Sequence, residues 1–436
     1  MQNGILSAEI SRVRGSARAA YRGRIVKVAG VLVEAEGLPA AVGDLCRLER
    51  AGLRPMLSEV VGLRGDTACL MPYGEVTGVS AGGRVVALGR RLDVKTGDAL
   101  LGRVLDGFGN PLDRLGNLNN TTHISVHRDA PQPLSRVGIN KLIPTGVRAI
   151  DGCLSIGRGQ RIGIFAGSGV GKSTLLADIV RGSEIDVAVV ALVGERGREV
   201  RAFVEEALGE SGLKKSVVIV ATSDRSPLER YKAPFIATAI AESFRDRGRN
   251  VMLVMDSITR FAAACREIGL AAGEPPTVKG YPPSFFATVP RLVERAGTAE
   301  TGSITAFYTV LLDGDDIDDP VGDTLRGLLD GHIVLSRKLA NRGHFPAIDI
   351  LASVSRLMPK VASAGHREAA MKLREWLSTL EENRDLVQIG AYKSGTNPKL
   401  DLAITRAAAV ESFLKQESGC ATPAAETLQL LQETVN

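Results

Sequence analysis

The feature that most constrains the fold is Gly163-Ile164-Phe165-Ala166-Gly167-Ser168-Gly169-Val170-Gly171-Lys172-Ser173-Thr174, an apolar run that ends in a glycine-rich loop. A strand, a loop and a helix in that order make a phosphate cradle. The glycines let consecutive N–H groups turn inward, and the helix opening at Ser173 adds its positive end. Lys172 is placed to reach the outer phosphates of a nucleoside triphosphate, and the Ser173 hydroxyl to ligate Mg²⁺. Ala166 stands where the general pattern G-x-x-x-x-G-K-[ST] has its first glycine, while Gly167, Gly169 and Gly171 remain. An accidental Lys-Ser pair in a glycine-rich turn leaves the helical run Leu175, Leu176, Ile179 and Val180 unexplained.

A chain of 436 residues, 44% hydrophobic, is too long for one ordinary core and implies two or three domains. Its net charge of +5 argues neither for nor against a nucleic-acid partner. The five cysteines, Cys46, Cys69, Cys153, Cys265 and Cys420, are widely spaced and lack a C-x-x-C pair. That pattern points away from a disulfide framework or zinc site and toward a reducing, cytoplasmic compartment. No N-terminal leader or long apolar run stands out, so a soluble chain is expected.

From Arg22 to about Arg91, short apolar runs alternate with turn glycines, a texture suited to a small β-barrel or sandwich. Residues 92–150 read as loops leading into a nucleotide domain. Beyond them, apolar runs at 161–165, 187–193, 217–221, 251–255 and 304–312 read as buried strands, with helices over about 200–208 and 233–246. This alternation predicts an α/β core with a largely parallel sheet and its ligand at the strands' carboxyl ends. Past Pro359 the pattern turns helical, with Ala370, Leu373, Leu377 and Leu380 on one face, a break at Gly395-Thr396-Asn397-Pro398 and a second helix over 400–415. The tail after Gln416 is expected to be less ordered. The expected domains are therefore 1–92, a β-barrel with a basic N-terminal segment, then 93–362, the nucleotide domain with its connector, and 363–436, a helical domain.

Triphosphate hydrolysis needs charge neutralisation, a held metal and a group that activates water. Asp256, ending the run Val251–Met255, is placed to reach Mg²⁺ through water, although it also suits a helix N-cap before Ser257-Ile258-Thr259. Glu195, in Gly194-Glu195-Arg196-Gly197-Arg198-Glu199, can face the γ-phosphate as a general base, or simply be solvated at a strand end. Arg196 and Arg198 can hold phosphate charge or the local loop. Arg356 lies far along the chain and is by pattern an ordinary arginine, unless a ring presents it across a subunit boundary. Phe345, before Pro346, is either an aromatic face for adenine or a core residue. The five histidines show no ligand spacing, and Asp313–Pro320 lacks the calcium-loop pattern and reads as an acidic turn. Between Glu9 and Glu34 all charges are positive (Arg12, Arg14, Arg18, Arg22, Arg24, Lys27), suiting an acidic protein, an anionic lipid surface or plain solvent.

With these residues in hand, the chain resembles the catalytic ATPases of bacterial type III export, most closely the flagellar ones, and is similar to rotary ATP synthase subunits. The resemblance runs from about Arg22 to Lys415. It is carried by Gly159–Ser173, Gly194–Val200, Ala221-Thr222-Ser223-Asp224, Glu274-Pro275-Pro276-Thr277, Gly280-Tyr281-Pro282-Pro283-Ser284 and Gly390–Pro398. Ser168-Gly169-Val170 and Tyr392–Pro398 look flagellar rather than injectisome-like. The resemblance implies a RecA-like P-loop core between an N-terminal β-barrel and a C-terminal helical domain, in a homohexamer hydrolysing ATP with Mg²⁺ at subunit interfaces. It also implies Lys172 and Ser173 on phosphate and metal, Asp256 near the metal, Glu195 as base, Arg356 as a finger from the neighbour, and Phe345 at the base. Implied partners are a negative regulator at the N-terminus, a stalk protein, the export gate and chaperone–substrate complexes. An injectisome ATPase is the nearest rival. A ring-shaped nucleic-acid translocase should carry more aromatics on its barrel than Tyr21 and Tyr73, so no nucleic-acid partner is expected. A non-catalytic subunit should lack the base or the phosphate lysine, and both Glu195 and Lys172 are present.

Overall fold

The computed structural model describes residues 21–312 and 319–436. Arg12, Arg14, Arg18 and most of the acidic run at 313–320 lie outside the described residues. The chain divides into two compact units, Met1–Leu92 with Ile268–Glu274, and Asp93–Glu267 with Pro275–Asn436.

In the first unit the alternating pattern folds as β1 (Arg22–Ala29), β2 (Leu32–Glu36), β3 (Asp44–Leu48), β4 (Met56–Arg64), β5 (Thr67–Pro72) and β6 (Arg84–Arg91). These close into a barrel in the order β1-β2-β5-β4-β3-β6, antiparallel throughout. Alternation sends Ile25, Val33, Leu48, Leu70 and Val85 inward, where they form the barrel's own core. The tight turns after β1 and β4 need a left-handed residue, supplied by Gly30 and Gly65 at φ 58°.

The second unit is built on β8 (Arg103–Asp106), β10 (Arg161–Ala166), β11 (Val187–Val193), β12 (Ser216–Ala221), β13 (Asn250–Asp256), β14 (Gly297–Thr298), β15 (Ser303–Leu311), β16 (Gly331–Leu335) and β17 (Ile348–Ser355). Their order is β17-β16-β10-β15-β13-β11-β12-β8, with β14 against β15. Only β14 and β17 run antiparallel to their neighbours. A separate ribbon pairs β7 (Asp93–Thr96) with β9 (Thr122–Ser125). All five apolar runs read as strands are strands. β8, within the segment read as a connector, adds a parallel edge to β12, and its Arg103 forms a 2.7 Å ion pair with Asp113 in the loop that follows. The helix read at 200–208 is part of a helical run over Gly197–Lys214, wound as π-helix at Phe203–Leu208.

Helices Ala364–Glu382 and Pro398–Leu414 form as expected, but the tail after Gln416 is not loose. It crosses as a strap over 415–423 and ends in a helix, Ala424–Val435, that buries Leu431 and Val435. The short helix Arg148–Cys153 receives these elements. A Cβ on Gly152 would stand 2.7 Å from the Phe413 ring, so only glycine permits the approach. Among the described residues no helix is long and apolar enough to cross a membrane.

Candidate active site

β10 ends at Ala166, and the loop 167–171 turns into the helix Lys172–Gly182. Gly169 and Gly171 adopt φ of 78° and 87°, the left-handed geometry that lets a backbone wrap an anion. Val170 is buried and holds the loop, while Ser168, Ser173 and Thr174 are exposed.

The strand order sets the carboxylates beside this loop. Lys172 Nζ lies against Asp256 Oδ1 at the end of β13 and 3.4 Å from Glu195 Oε1, just beyond β11. Asp256 is only 2% exposed, and its Oδ1 also accepts a 2.6 Å hydrogen bond from the Thr309 hydroxyl on β15. Burial pushes the Glu195 carboxyl up to about 7, against the nearby Lys172 ammonium, and the Asp256 charge adds to the rise. A carboxylate with that proton affinity is suited to taking a proton from water near neutrality. Gly194, at φ 70°, makes room for Arg260: a Cβ there would stand 2.7 Å from that of Arg260. The Arg260 charge favours the ionised form of Glu195.

Phe345 is 45% exposed, and its ring lies 3.5 Å from where a Cβ on Gly171 would stand. It borders a cavity of about 1180 Å³ whose walls include Thr174, Leu175, Arg148, Lys415, Gln416 and Cys420. The strap forms its far side and is tied at both ends. Gln416 donates its N–H to the Phe345 carbonyl at 2.9 Å and its Nε2–H to the Gly146 carbonyl at 2.7 Å. Asp178, on the phosphate-loop helix, accepts from Gly419 N at 3.0 Å and Ser418 Oγ at 3.1 Å. Arg148 donates to the carbonyls of Ser412, Phe413 and Lys415, satisfying groups left open where the helix Pro398–Leu414 ends.

The structure thus gathers Lys172, Glu195 and Asp256 beside the loop that carries Ser173, with Phe345 alongside. Arg196 does not join them: its side chain is 75% exposed and pairs with Glu199 at 3.7 Å. Arg356 stands apart as well. Ser355 pairs with Gly331 at the start of β16, whereas Leu335 at the end of β16 pairs with Ala166 beside the loop. Arg356 therefore lies at the opposite end of the sheet, where its Nη2–H donates to the Arg326 carbonyl at 3.2 Å. Thr309, Arg260 and the strap carry no motif of their own, and the sequence reading passed over them.

A phosphate loop, a buried acid on a nearby parallel strand and a raised glutamate beside them define a P-loop ATPase. Residues 25–89 and 146–355 match the beta-barrel and nucleotide-binding domains of the ATP synthase alpha/beta family, and 362–433 the T3SS EscN ATPase C-terminal domain. The chain is 51% identical to the flagellum-specific ATP synthase of Bacillus subtilis strain 168, covering 95% of this chain and 93% of that one. It is also 51% identical to the type 3 secretion system ATPase of Xanthomonas euvesicatoria, over 94% and 93%. The structure of the assembled ATPase EscN from the enteropathogenic E. coli type III secretion system superposes with a TM-score of 0.91 at 44% identity, over 95% of this chain and 100% of that one. The chain belongs to the ATP synthase alpha/beta family, within its type III secretion and flagellar export ATPases.

Proposed function

We propose that this chain is the ATP-hydrolysing motor subunit of a flagellar type III export apparatus, a homohexameric ring in the cytoplasm at the inner face of the membrane. It energises or gates the unfolding and delivery of export substrates. The observation that carries the chemistry is the convergence of Lys172, Glu195 and Asp256 beside the phosphate loop. The donor set fits Mg²⁺, since the Ser173 hydroxyl and the Asp256 carboxylate offer hard oxygen ligands, the latter through water. When bound with ATP, the ion supplies charge neutralisation at the phosphate oxygens.

Glu195 takes a proton from the attacking water as the water oxygen bonds to the γ-phosphorus. The bond to the bridging oxygen breaks, and ADP leaves with the electron pair. Lys172 turns from its carboxylates to the phosphates, whose remaining contacts come from the loop of Ala166, Gly167, Ser168, Gly169, Val170, Gly171, Ser173 and Thr174. Phe345 stacks on the base, and Arg196 steadies the loop that bears Glu195. Arg356, out of reach of its own loop, neutralises charge in the site of the adjacent copy.

The flagellar assignment is supported by Ser168-Gly169-Val170 and Tyr392–Pro398. The match of 362–433 to an injectisome ATPase domain supports virulence or symbiosis secretion as the second reading. A related EscN has been solved with its central stalk EscO, which supports a stalk partner here. The export gate, chaperone–substrate complexes and a negative regulator at the N-terminus complete the set, with an anionic lipid surface as a further contact for the basic N-terminal segment.

Mixed assemblies test the site. Arg356→Ala and Glu195→Gln chains, each inactive alone, should regain hydrolysis when combined, because some interfaces then hold an intact pair. Mixtures as inactive as either parent reject the role in trans. Loss of motility in a deletion strain supports the flagellar reading, whereas intact motility with lost effector secretion supports the injectisome one.

A further inference from the structure

Thr309 is fully buried in the middle of the sheet, on β15, directly between the phosphate-loop strand β10 and the Asp256 strand β13. It sits opposite Ile164 in β10, and its neighbour Tyr308 sits opposite Met255 in β13. Its hydroxyl has two acceptors in reach, the Met255 carbonyl at 3.3 Å and the Asp256 carboxylate at 2.6 Å. The shorter one has the length of a charge-assisted O–H···O⁻ bond. The oxygen it meets, Oδ1, is the one that Lys172 also holds.

These two donors differ in what they can do next. Lys172 sits on the first turn after the loop and carries its ammonium on a flexible stem, so arriving phosphates draw it away. Thr309 is held by strand pairing on both sides and has nowhere to go. A buried carboxylate that loses its cation and keeps no donor is costly, and it is free to turn. We infer that Thr309 is a positioning residue for hydrolysis: its hydroxyl keeps the Asp256 carboxylate oriented toward the metal–nucleotide complex once Lys172 has moved to phosphate. The inference rests on the site proposed above, with Asp256 serving the metal.

The test uses the full chain and a fluorescent ADP analogue, titrated in EDTA and then across a range of Mg²⁺ concentrations. Thr309→Val keeps shape and burial while removing the hydroxyl. Its affinity in EDTA should match wild type, and the Mg²⁺ concentration for half-maximal tightening should rise by about 10- to 100-fold. Thr309→Ser should restore the wild-type midpoint, and Thr309→Ala, a second route to the same loss, should reproduce the shift. In an Asp256→Asn background, Thr309→Val should move the midpoint no further. An unchanged midpoint, an equal loss in EDTA, or a serine variant that behaves like valine overturns the inference. A wild-type chain whose affinity ignores Mg²⁺ instead overturns the site assignment itself.

Discussion

The two ends of the central sheet are built by opposite means. At the carboxyl ends of β10, β11 and β13, parallel strands deliver Ser173, Glu195 and Asp256 to one place, because parallel strands all finish on the same side. At the other end, the antiparallel edge strand β17 reverses direction and releases Arg356 roughly 17 Å away, the length of one strand. One end gathers a site, and the other exports a residue from it. On the role proposed for Arg356, a single reversed strand makes the chain half of two different sites.

The comparison predicts that damage at the two ends looks alike in turnover and unlike in binding. Lys172→Ala and Arg356→Ala should each cut hydrolysis by about 10³-fold or more. Equilibrium nucleotide titrations should show binding lost only for Lys172→Ala, and equal binding defects would erase the distinction between the ends. The next effect belongs to the loop end alone. Because Glu195 holds its proton up to about 7 and acts only without it, kcat/KM should fall by about ten-fold per pH unit below that value and level off above it. A profile flat down to about pH 5.5 would break the assignment of the base. The raised proton affinity of the folded state also means that the ionised glutamate costs stability above about pH 7 and costs nothing below its ordinary range near 4.5. Glu195→Gln should therefore raise Tm at alkaline pH and lose that gain on acidification.

Smaller effects probe the cavity beside the loop. Phe345→Ala should raise KM by about ten-fold with kcat nearly intact, since base stacking is worth about 1–3 kcal/mol. Asp178→Ala should raise KM only about three-fold, by releasing Ser418 and Gly419 of the strap from the phosphate-loop helix with the loss of two exposed hydrogen bonds. A kcat defect in either variant would tie the cavity to the chemistry rather than to the base.

Local pattern carried the parts of this molecule that are local. The phosphate loop, the five core strands and the barrel strands each show themselves within a dozen residues. Glu195 and Asp256 were readable because each ends an apolar run. Thr309 was not, because its contact with Asp256 exists only when β15 lies between β10 and β13, and strand order has no local trace. Arg260 is hidden in the same way, brought to Glu195 by the missing side chain of Gly194. β16 and β17 escaped notice because His332, Asp349 and Ser353 interrupt their apolar pattern. The strap and the last helix looked loose because 415–423 is polar. Its order comes from the bonds of Gln416 to Gly146 and of Gly419 to Asp178, partners far from the strap in sequence.

The helix Ala424–Val435 has a consequence for how the chain comes off the ribosome. The barrel owns every one of its strands by Arg91 and draws its core from within them. The core of the nucleotide domain also includes Leu431 and Val435, in one continuous cluster with Ile164 and Leu176. During synthesis the barrel strands are complete early, whereas the nucleotide core waits for the helix Ala424–Val435. A chain stopped before Ala424 would have all its barrel strands and a nucleotide core that lacks Leu431 and Val435.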